Sequence, residues 1–478
     1  MIYDHPSIRF IYRHSPVTVQ HLLVSIYGGI KVYERWGSTF QGYVRELEQS
    51  SRLSTQELRS LQAERLRRLV RHSYESVPYY RRVFDERKLK PEDIRGADDL
   101  YKLPVLTKQD VRKHYDELRS RVVPSSTVMI AHTGGSTGVP LQFLLDRNRV
   151  IFDHALTHRQ WSWAGFRPRD RVAILRGLTL IPAENRSGCY WRHDLADRRL
   201  YLSSFHLSKA IMPLYVRKLQ RWQPKFIAGY PSSLYTLARY LEQVGVTVPV
   251  TAVFTSSEVL TNAERRVIER RFGCRVWDRY GTGERLAVAQ QCEYGSYHES
   301  IEFGVLQVDS PRGQPAPQGG SGELIHTGLT NFSMPLIRYA SEDVSRLLPD
   351  ARCSCGRSLP VMAPVLGRKD DVIVTADGRR LPGAGLTLIH EFLDSIERCQ
   401  LVQEHVGEVI VKVQPRSDFG PSDSAELERE LRRRLGDAMK VKIELVDSLE
   451  VTITGKSRFI VSRIHPNDTG VPAAADCI

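Results

Sequence analysis

Apolar and polar positions follow two different periods along this chain. From about residue 128 to about residue 340, short β-branched runs are separated by longer stretches with helical spacing. "RVAILRG", "KFIAGY", "VTAVFTS" and "CRVWDRYG" have the length and side-chain type of buried strands. That alternation predicts an α/β fold of parallel strands joined by crossover helices. "GELIHTGLT" and "FSMPLIRYASEDVSRLL" instead read as antiparallel strands. Upstream, residues 1–75 read as helical and basic, and the stretch from "VPYYRRVF" onward as helices punctuated by prolines. Downstream, "VLGRKDDVIVTADGRRLPG" supplies a Gly-Arg turn and a hairpin around Asp377-Gly378. "VGEVIVKVQP", "AELERELRRRLG" and "KVKIELVD" suit a small α+β domain, followed by a frayed tail after Pro466.

At 478 residues the chain is too long for one ordinary core. The expected organisation is a helical N-terminal extension (1–75), a large domain (76–366) and a small C-terminal domain (367–478), with a boundary near Gly367. The apolar patch "VTVQHLLVSIYGGIKVY" carries Gln20, His21 and Lys31, and falls short of a spanning helix. It reads as a packed N-terminal helix, with a peripheral membrane contact as the alternative.

Charge narrows the partners. A net charge of +13 and a pI near 9.4 favour an anionic one: nucleotide, coenzyme, nucleic acid or membrane surface. The arginines fall in helical segments that read as solvated faces, and no zinc-finger, RNA-recognition or helix-turn-helix signature is present, so nucleic acid is not expected. "MIYDHPSIRF" lacks the pattern of an export signal. Seven cysteines are sparse for this length and argue for a reducing, cytoplasmic compartment.

"VMIAHTGGSTGVPLQFLLD", residues 128–146, places six Thr, Ser and Gly residues between two apolar runs. Glycines let a ligand approach the backbone, and successive N–H groups with nearby hydroxyls can cradle a polyphosphate. The same residues also make ordinary hairpin loops. No Gly-Lys-Ser/Thr follows, so this is not the Walker pattern. A second constellation is Cys292 and His298 in "QCEYGSYHES" with Cys353 and Cys355 in "CSCG". Three sulfurs and one imidazole suit a closed, structural zinc site. The alternative is four unrelated side chains, two buried and two exposed.

Several stretches then stand in one order. "AHTGGSTGVP" is similar to the phosphate loop of the adenylate-forming superfamily. "TSSEVL" and "DRYGTGE" resemble its adenine-side and Tyr-Gly-x-x-Glu segments, and "MPLIRYASEDV" its ribose-binding strand. "LGRKDDVIV" resembles the domain hinge and "TITGKSRFIVSRI" the catalytic-lysine loop. "FIAGYPSSLYTLARYL", "CSCGRSLP" and "HLLVSIYGGIKVYERWGSTF" resemble phenylacetate–coenzyme A ligases and related capsule-biosynthesis proteins, the last being typical of the capsule branch.

The resemblance implies a large adenylate-forming domain, with mixed and parallel sheets, plus a small mobile α+β domain. It implies ATP-dependent activation of a carboxylic acid as an acyl-adenylate and transfer of the acyl group to coenzyme A. Transfer to a sugar amine or hydroxyl of a surface-polysaccharide precursor, and a catalytically inactive scaffold, are the alternatives. Thr133, Gly134, Gly135, Ser136, Thr137 and Gly138 would hold the β- and γ-phosphates, Thr137 being also catalytic. Glu284 would hold Mg²⁺. Ser257, Glu258, Tyr280, Gly281 and Thr282 would line the adenine side, and Asp343 and Arg368 the ribose. Lys456 would meet charge developing at the carboxylate and phosphate, and Asp370 would be the hinge. Tyr230, Ser232 and Ser256 are the candidate acyl-pocket residues. Val139 and Val451 depart from the family's usual Lys and Pro, and the first removes one phosphate contact.

Overall fold

The computed structural model describes residues 10–12, 14–133, 141–177, 180–181, 187–310, 313–368, 372–377, 380–382, 395–449 and 458–464, without the side chains of 33–35, 372 and 380–382. The chain divides into two units. The first runs to Pro364, omitting Thr261–Ala263 and Glu342–Ser345; these two segments join Val365 onward in the second.

Helices α1 (Val17–Trp36), α2 (Ser38–Ser50), α3 (Thr55–Ser76) and α4 (Pro78–Glu86) precede the first strands. Ser54 and Glu57 form a reciprocal capping box that starts α3, and Pro78, which lacks an N–H to leave unsatisfied, opens α4. One face of α1 is packed: the Arg192 guanidinium donates to Gln20 Oε1 at 2.8 Å, and the Leu195 N–H donates to Ser25 Oγ at 3.0 Å. Gly28 on that face lies so close to Asp194 that a Cβ would stand 2.1 Å from its carboxylate. The opposite face exposes Val19, Leu22 (59%), Ile26 (52%) and Ile30, which recur at helical spacing. No helix among the described residues is long and apolar enough to cross a membrane.

Strands β1 (Val128–His132) and β2 (Gln142–Asp146) form an antiparallel hairpin in the register Val128↔Asp146 to His132↔Gln142, followed by helix α5 (Arg147–Trp163). The four runs singled out by periodicity become β3 (Val172–Arg176), β6 (Phe226–Gly229), β7 (Ala252–Ser256) and β8 (Val276–Gly281), paired parallel in the order β3-β6-β7-β8. A fifth parallel strand, β5 (Arg199–Ser203), lies on the other side of β3 and carries β4 (Trp191–Asp194) antiparallel at its edge. Beyond β8 the sheet continues antiparallel through β9 (Val288–Gln291) and β10 (Tyr297–Glu299), and ends in β14 (Leu347–Leu348) and β15 (Val361–Met362).

Both faces of the parallel strands are covered, which is why they read as continuous apolar runs. Ala173, Leu175, Ile227 and Val253 pack with Leu219 of α6 (Met212–Trp222), Leu234 and Leu237 of α7 (Pro231–Gln243), and Ile268 and Phe272 of α8 (Asn262–Phe272). Val172, Ala228, Phe254 and Trp277 form the core of the other face with Phe166. A separate antiparallel pair, β11 (Gly304–Asp309) and β12 (Gly322–Gly328), is followed by β13 (Tyr339–Ser345), whose Ser341 hydroxyl donates to the Leu324 carbonyl at 2.8 Å.

In the second unit, Asp343 of β13 pairs with Arg368 of β16 (Gly367–Arg368), and β17 (Val372–Val374) pairs antiparallel with β18 (Arg380–Pro382). A four-stranded sheet follows, in the order β21 (Lys440–Leu445), β20 (Glu408–Pro415), β19 (Ile396–Gln403), β22 (Ile460–Ser462). Helix α9 (Pro421–Leu435) covers it through Leu427, Leu431 and Leu435, one side chain per turn, packed against Val409, Val411 and Val413.

Candidate functional site

The chain leaves β3 for β5 on one side and returns to β6 on the other, so the strand order reverses at β3. In open α/β sheets the crevice beyond the carboxyl ends of the strands at such a reversal is the usual ligand site. Arg176 ends β3 there, Tyr230 follows β6, and Ser256 ends β7. Gly229 must be glycine: a Cβ would lie 2.7 Å from the Leu175 carbonyl oxygen. The Ser232 N–H and hydroxyl donate to the Glu258 carboxylate at 3.0 and 3.1 Å, so this acid sits at the N terminus of α7 and satisfies part of its unpaired N–H set. Ser257, with φ +75°, makes the left-handed bend that lets Glu258 reach back. Arg176 Nη2 donates to Ser256 Oγ at 2.8 Å, and the guanidinium lies 5.7 Å from the centre of the Tyr230 ring. Burial pushes the Tyr230 phenol up and the Arg176 guanidinium down from their ordinary values.

Thr133 closes the β1–β2 hairpin. Its N–H donates to the Leu141 carbonyl at 2.9 Å, and its Oγ1 accepts from the Leu141 N–H at 3.0 Å. Gly134, Gly135, Ser136, Thr137 and Gly138 lie outside the described residues. Against Thr133 packs Gly283, where a Cβ would stand 3.7 Å from Thr133 Cγ2. The base of the glycine-rich stretch and the segment Tyr280–Glu284 are therefore neighbours. Within that segment Tyr280 shares a 3.0 Å hydrogen bond with His326 Nε2, their rings edge to face. Thr282 Oγ1 is buried with no partner among the described residues, and Glu284, 4% exposed, accepts from the Tyr339 hydroxyl at 2.7 Å. Burial pushes His326 down to about 3, so it is neutral at ordinary pH.

Asp153 of α5 brackets the same segment. Its carboxylate pairs with Arg279, just before Tyr280, and with Arg285, just after Glu284. Burial works against the charged carboxylate, but the two guanidiniums prevail and hold it well below the usual range. A carboxylate, an orphaned buried hydroxyl and the Thr133 hairpin are oxygen donors of the kind a hard divalent cation takes, so the residues present fit Mg²⁺.

In the second unit β13 and β16 bring Asp343 and Arg368 together, with Arg368 Nε 3.8 Å from Asp343 Oδ1. Asp370 and Lys456 lie outside the described residues.

Cys292, His298, Cys353 and Cys355 converge in the first unit, with their ligand atoms all within 4.8 Å of one another. Two tight turns present the sulfurs: Gly295 (φ +85°) donates its N–H to the Cys292 carbonyl at 3.0 Å, and Gly356 (φ +75°) to that of Cys353 at 3.1 Å. Cys292 Sγ lies 3.5 Å from Cys353 Sγ, and Cys355 Sγ lies 3.2 Å from His298 Nε2. A tetrahedron of ~2.3 Å Zn–S bonds has edges of about 3.8 Å, so the spacing fits zinc. His298 Nδ1 contacts the Leu359 carbonyl at 3.0 Å, which fixes the tautomer that offers Nε2 to a metal. Backbone N–H groups of Tyr294 and Cys355 point at the Cys292 and Cys353 sulfurs, at 3.4 and 3.5 Å. The other described cysteines, Cys189, Cys274 and Cys399, form no disulfide and lie outside this cluster.

Comparison with known proteins decides the family. The phenylacetate–coenzyme A ligase of Thermus thermophilus is 32% identical over 341 residues, 70% of this chain and 74% of that one. The Escherichia coli enzyme of the same name is 30% identical over 416 residues, 85% and 86% of the two chains. The chain belongs to the phenylacetate–coenzyme A ligase family. It is an enzyme of the acyl-adenylate-forming class. It is also similar to protein CapK of Staphylococcus aureus, 24% identical over 464 residues, 96% of this chain and all (100%) of that one. Residues 373–463 match the model of the CapK C-terminal domain. In fold it is similar to 2-hydroxyisobutyryl-CoA ligase in the postadenylation state, with a TM-score of 0.68 at 20% identity, covering 84% of this chain and 88% of that one.

The structure thus brings together Thr133, Tyr280, Gly281, Thr282 and Glu284 in one place, and Tyr230, Ser232, Ser256, Ser257 and Glu258 in another, at the strand ends of the ligase-family fold. Arg176, Asp153 and His326 were not among the residues expected from the sequence. The available signal for Arg176 was a lone cation closing an apolar strand immediately before Gly177.

Proposed function

We propose that the chain activates a carboxylic acid with ATP, forming an acyl-adenylate and pyrophosphate, and then transfers the acyl group to coenzyme A. The contact of Gly283 with Thr133 carries this reading, since it joins the glycine-rich hairpin to the turn bearing Glu284. A carboxylate is a poor electrophile because its leaving group would be oxide. Attack of its oxygen on the α-phosphate replaces that leaving group with AMP, and the protein's task is alignment and charge neutralisation.

Thr133 through Gly138 would hold the terminal phosphates. Glu284 would hold a magnesium ion, which supplies neutralising charge at the phosphate oxygens. Tyr280, steadied by His326, would lie against adenine, with Gly281, Ser257 and Glu258 on the same side. Asp343 accepts and Arg368 donates hydrogen bonds at the ribose. Lys456 would stabilise charge that develops in the transition state, and Asp370 would absorb the rotation between half-reactions. Tyr230, Ser232 and Ser256 would line the acyl pocket.

Acid-dependent exchange of pyrophosphate into ATP tests the first half-reaction whatever the acceptor. Exchange that does not depend on any acid overturns the reading. A second acceptor reading, a sugar amine or hydroxyl of a surface-polysaccharide precursor, comes from the sequence resemblance to the capsule branch. Release of free AMP with the sugar but not with coenzyme A would select it.

The cysteine–histidine cluster would hold one structural zinc, closed to substrate because all four positions are filled by the protein. The exposed stripe on α1 supports a peripheral membrane contact through the N-terminal extension. Co-sedimentation with anionic vesicles that is lost in Ile26→Asp would support it.

A further inference from the structure

Several buried arginines elsewhere in the first unit are matched with acids, and Arg192, which is not, gives its N–H groups to Gln20 Oε1 and to the Cys189 and Trp191 carbonyls. Arg159 pairs with Glu302 at 2.7 Å, Arg199 with Asp197 at 3.2 Å and Arg338 with Asp309 at 2.7 Å. Among the described residues Arg149 makes no ion pair, but it lies in the field of Asp153 and Asp146. Arg176 differs. Among the described residues it makes one hydrogen bond, to the neutral Ser256 hydroxyl, and one face contact, with the Tyr230 ring. Its Nε is buried with no partner. A second cation, Arg279, adds an unfavourable field to it. Glu258, the acid on the adjoining loop, is held by Ser232 at the start of α7.

Arg176, Tyr230 and Ser256 all keep partial exposure at the carboxyl ends of β3, β6 and β7, so the guanidinium borders the crevice and is not sealed beneath it. A half-buried cation with spare donors and no counter-ion among the described residues costs free energy in the empty protein, and an anion delivered there recovers it. We propose that Arg176 recognises a second negatively charged group on the acid substrate, so that the chain activates acids bearing a distal carboxylate or phosphate. The inference rests on the adenylation reading above and specifies its acyl pocket: one carboxylate reacts at phosphorus while the distal anion accepts from in-plane guanidinium N–H groups that Ser256 does not use. The fork geometry suits a planar carboxylate or a phosphate, where a lysine would offer only a point charge.

The test is pyrophosphate exchange with the full chain, comparing dicarboxylates of increasing length and phosphorylated carboxylic acids with their uncharged monoacid counterparts, and with phenylacetate. The parent should favour a doubly charged acid. In Arg176→Gln the ratio of kcat/KM for diacid over monoacid should fall about tenfold to a hundredfold, mainly through KM, and Arg176→Lys should recover part of it. The carboxylate and phosphate arms show which anion is used. If the parent prefers monoacids, or Arg176→Gln lowers both classes equally, the inference fails while adenylation stands. If no acid on the panel supports exchange, adenylation and this inference fail together. Should Arg176→Gln not fold, Arg176→Lys alone decides, because an unchanged diacid-to-monoacid ratio in that variant overturns a bidentate role.

Discussion

The Tyr339 hydroxyl donates to Glu284 Oε1 at 2.7 Å, from a tyrosine that is itself fully buried. That bond aims a carboxylate whose own segment is a glycine-interrupted turn. If Glu284 holds magnesium, Tyr339 is a second layer that sets its orientation. Such partners typically change metal affinity by about tenfold to a hundredfold when removed. Tyr339→Phe should therefore raise the magnesium concentration for half-maximal exchange by about tenfold, with little change in saturating rate. A magnesium dependence identical to the parent's would remove Glu284 from the metal site or Tyr339 from its support.

Asp153 reaches Arg279 and Arg285 on either side of the Tyr280–Glu284 turn. Asp153→Asn leaves both guanidiniums without their buried anion, a loss of about 3 to 5 kcal/mol in urea unfolding. The sign with pH follows from the depressed carboxyl. Its contribution is complete above the usual carboxylate range, and it disappears as pH falls through the lower folded-state value. Parent and Asp153→Asn stabilities should converge only in strong acid. A constant gap down to that range would show that the loss came from packing and not from charge.

His326 gives the opposite partner of that argument, a base kept neutral. Its folded value of about 3 lies below the ordinary 6.5, so the unfolded chain binds the proton first. Stability is then full above pH 6.5 and declines as pH falls toward the folded value. The decline should reach roughly 2 kcal/mol by pH 5. His326→Gln, which keeps a partner for Tyr280, should lose correspondingly less between pH 7 and pH 5, measured by urea unfolding. Parallel curves for the two proteins would place the acid sensitivity elsewhere.

Periodicity found β3, β6, β7 and β8 because each places an apolar stretch in the cores on both faces of the sheet, although β8 runs on into Asp278 and Arg279. It passed over β5, "RLYLS", because Arg199 opens it and its neighbour β4 is polar: Arg192 there is satisfied by Gln20 of α1, a tertiary partner no local pattern records. The glycine-rich stretch and the Tyr-Gly-Thr-Gly-Glu turn were legible as motifs, whereas their contact through Gly283 and Thr133 depends on the fold. Asp153 sits within "VIFDHALTHRQW" as an unremarkable helical acid until strands far along the chain bring two arginines to it. Arg176 was opaque for the same reason: a terminal arginine is normally solvated, and only the strand reversal at β3 puts this one beside a crevice.

The cysteine cluster makes the last prediction. His298 comes from a strand in the extended sheet, Cys292 from the turn before it, and Cys353 and Cys355 from a loop some sixty positions further on (|i−j| = 61 for Cys292 and Cys353). A metal here would close that loop onto the sheet edge, where β10 pairs with β15. Purified protein should carry one zinc per chain, and Cys353→Ser should lose it. Binding to the folded state adds to folding free energy, so that variant should melt earlier, and added zinc should restore the parent but not the variant after chelation. Exchange activity should fall only as far as folded protein does, because three thiolates and an imidazole leave no open position for substrate. Protein prepared without chelators and found free of zinc would show the four side chains to be thiols and an imidazole packed for their own sake. A folded, zinc-free Cys353→Ser that retained its melting temperature yet lost exchange would mean that the metal takes part in the chemistry.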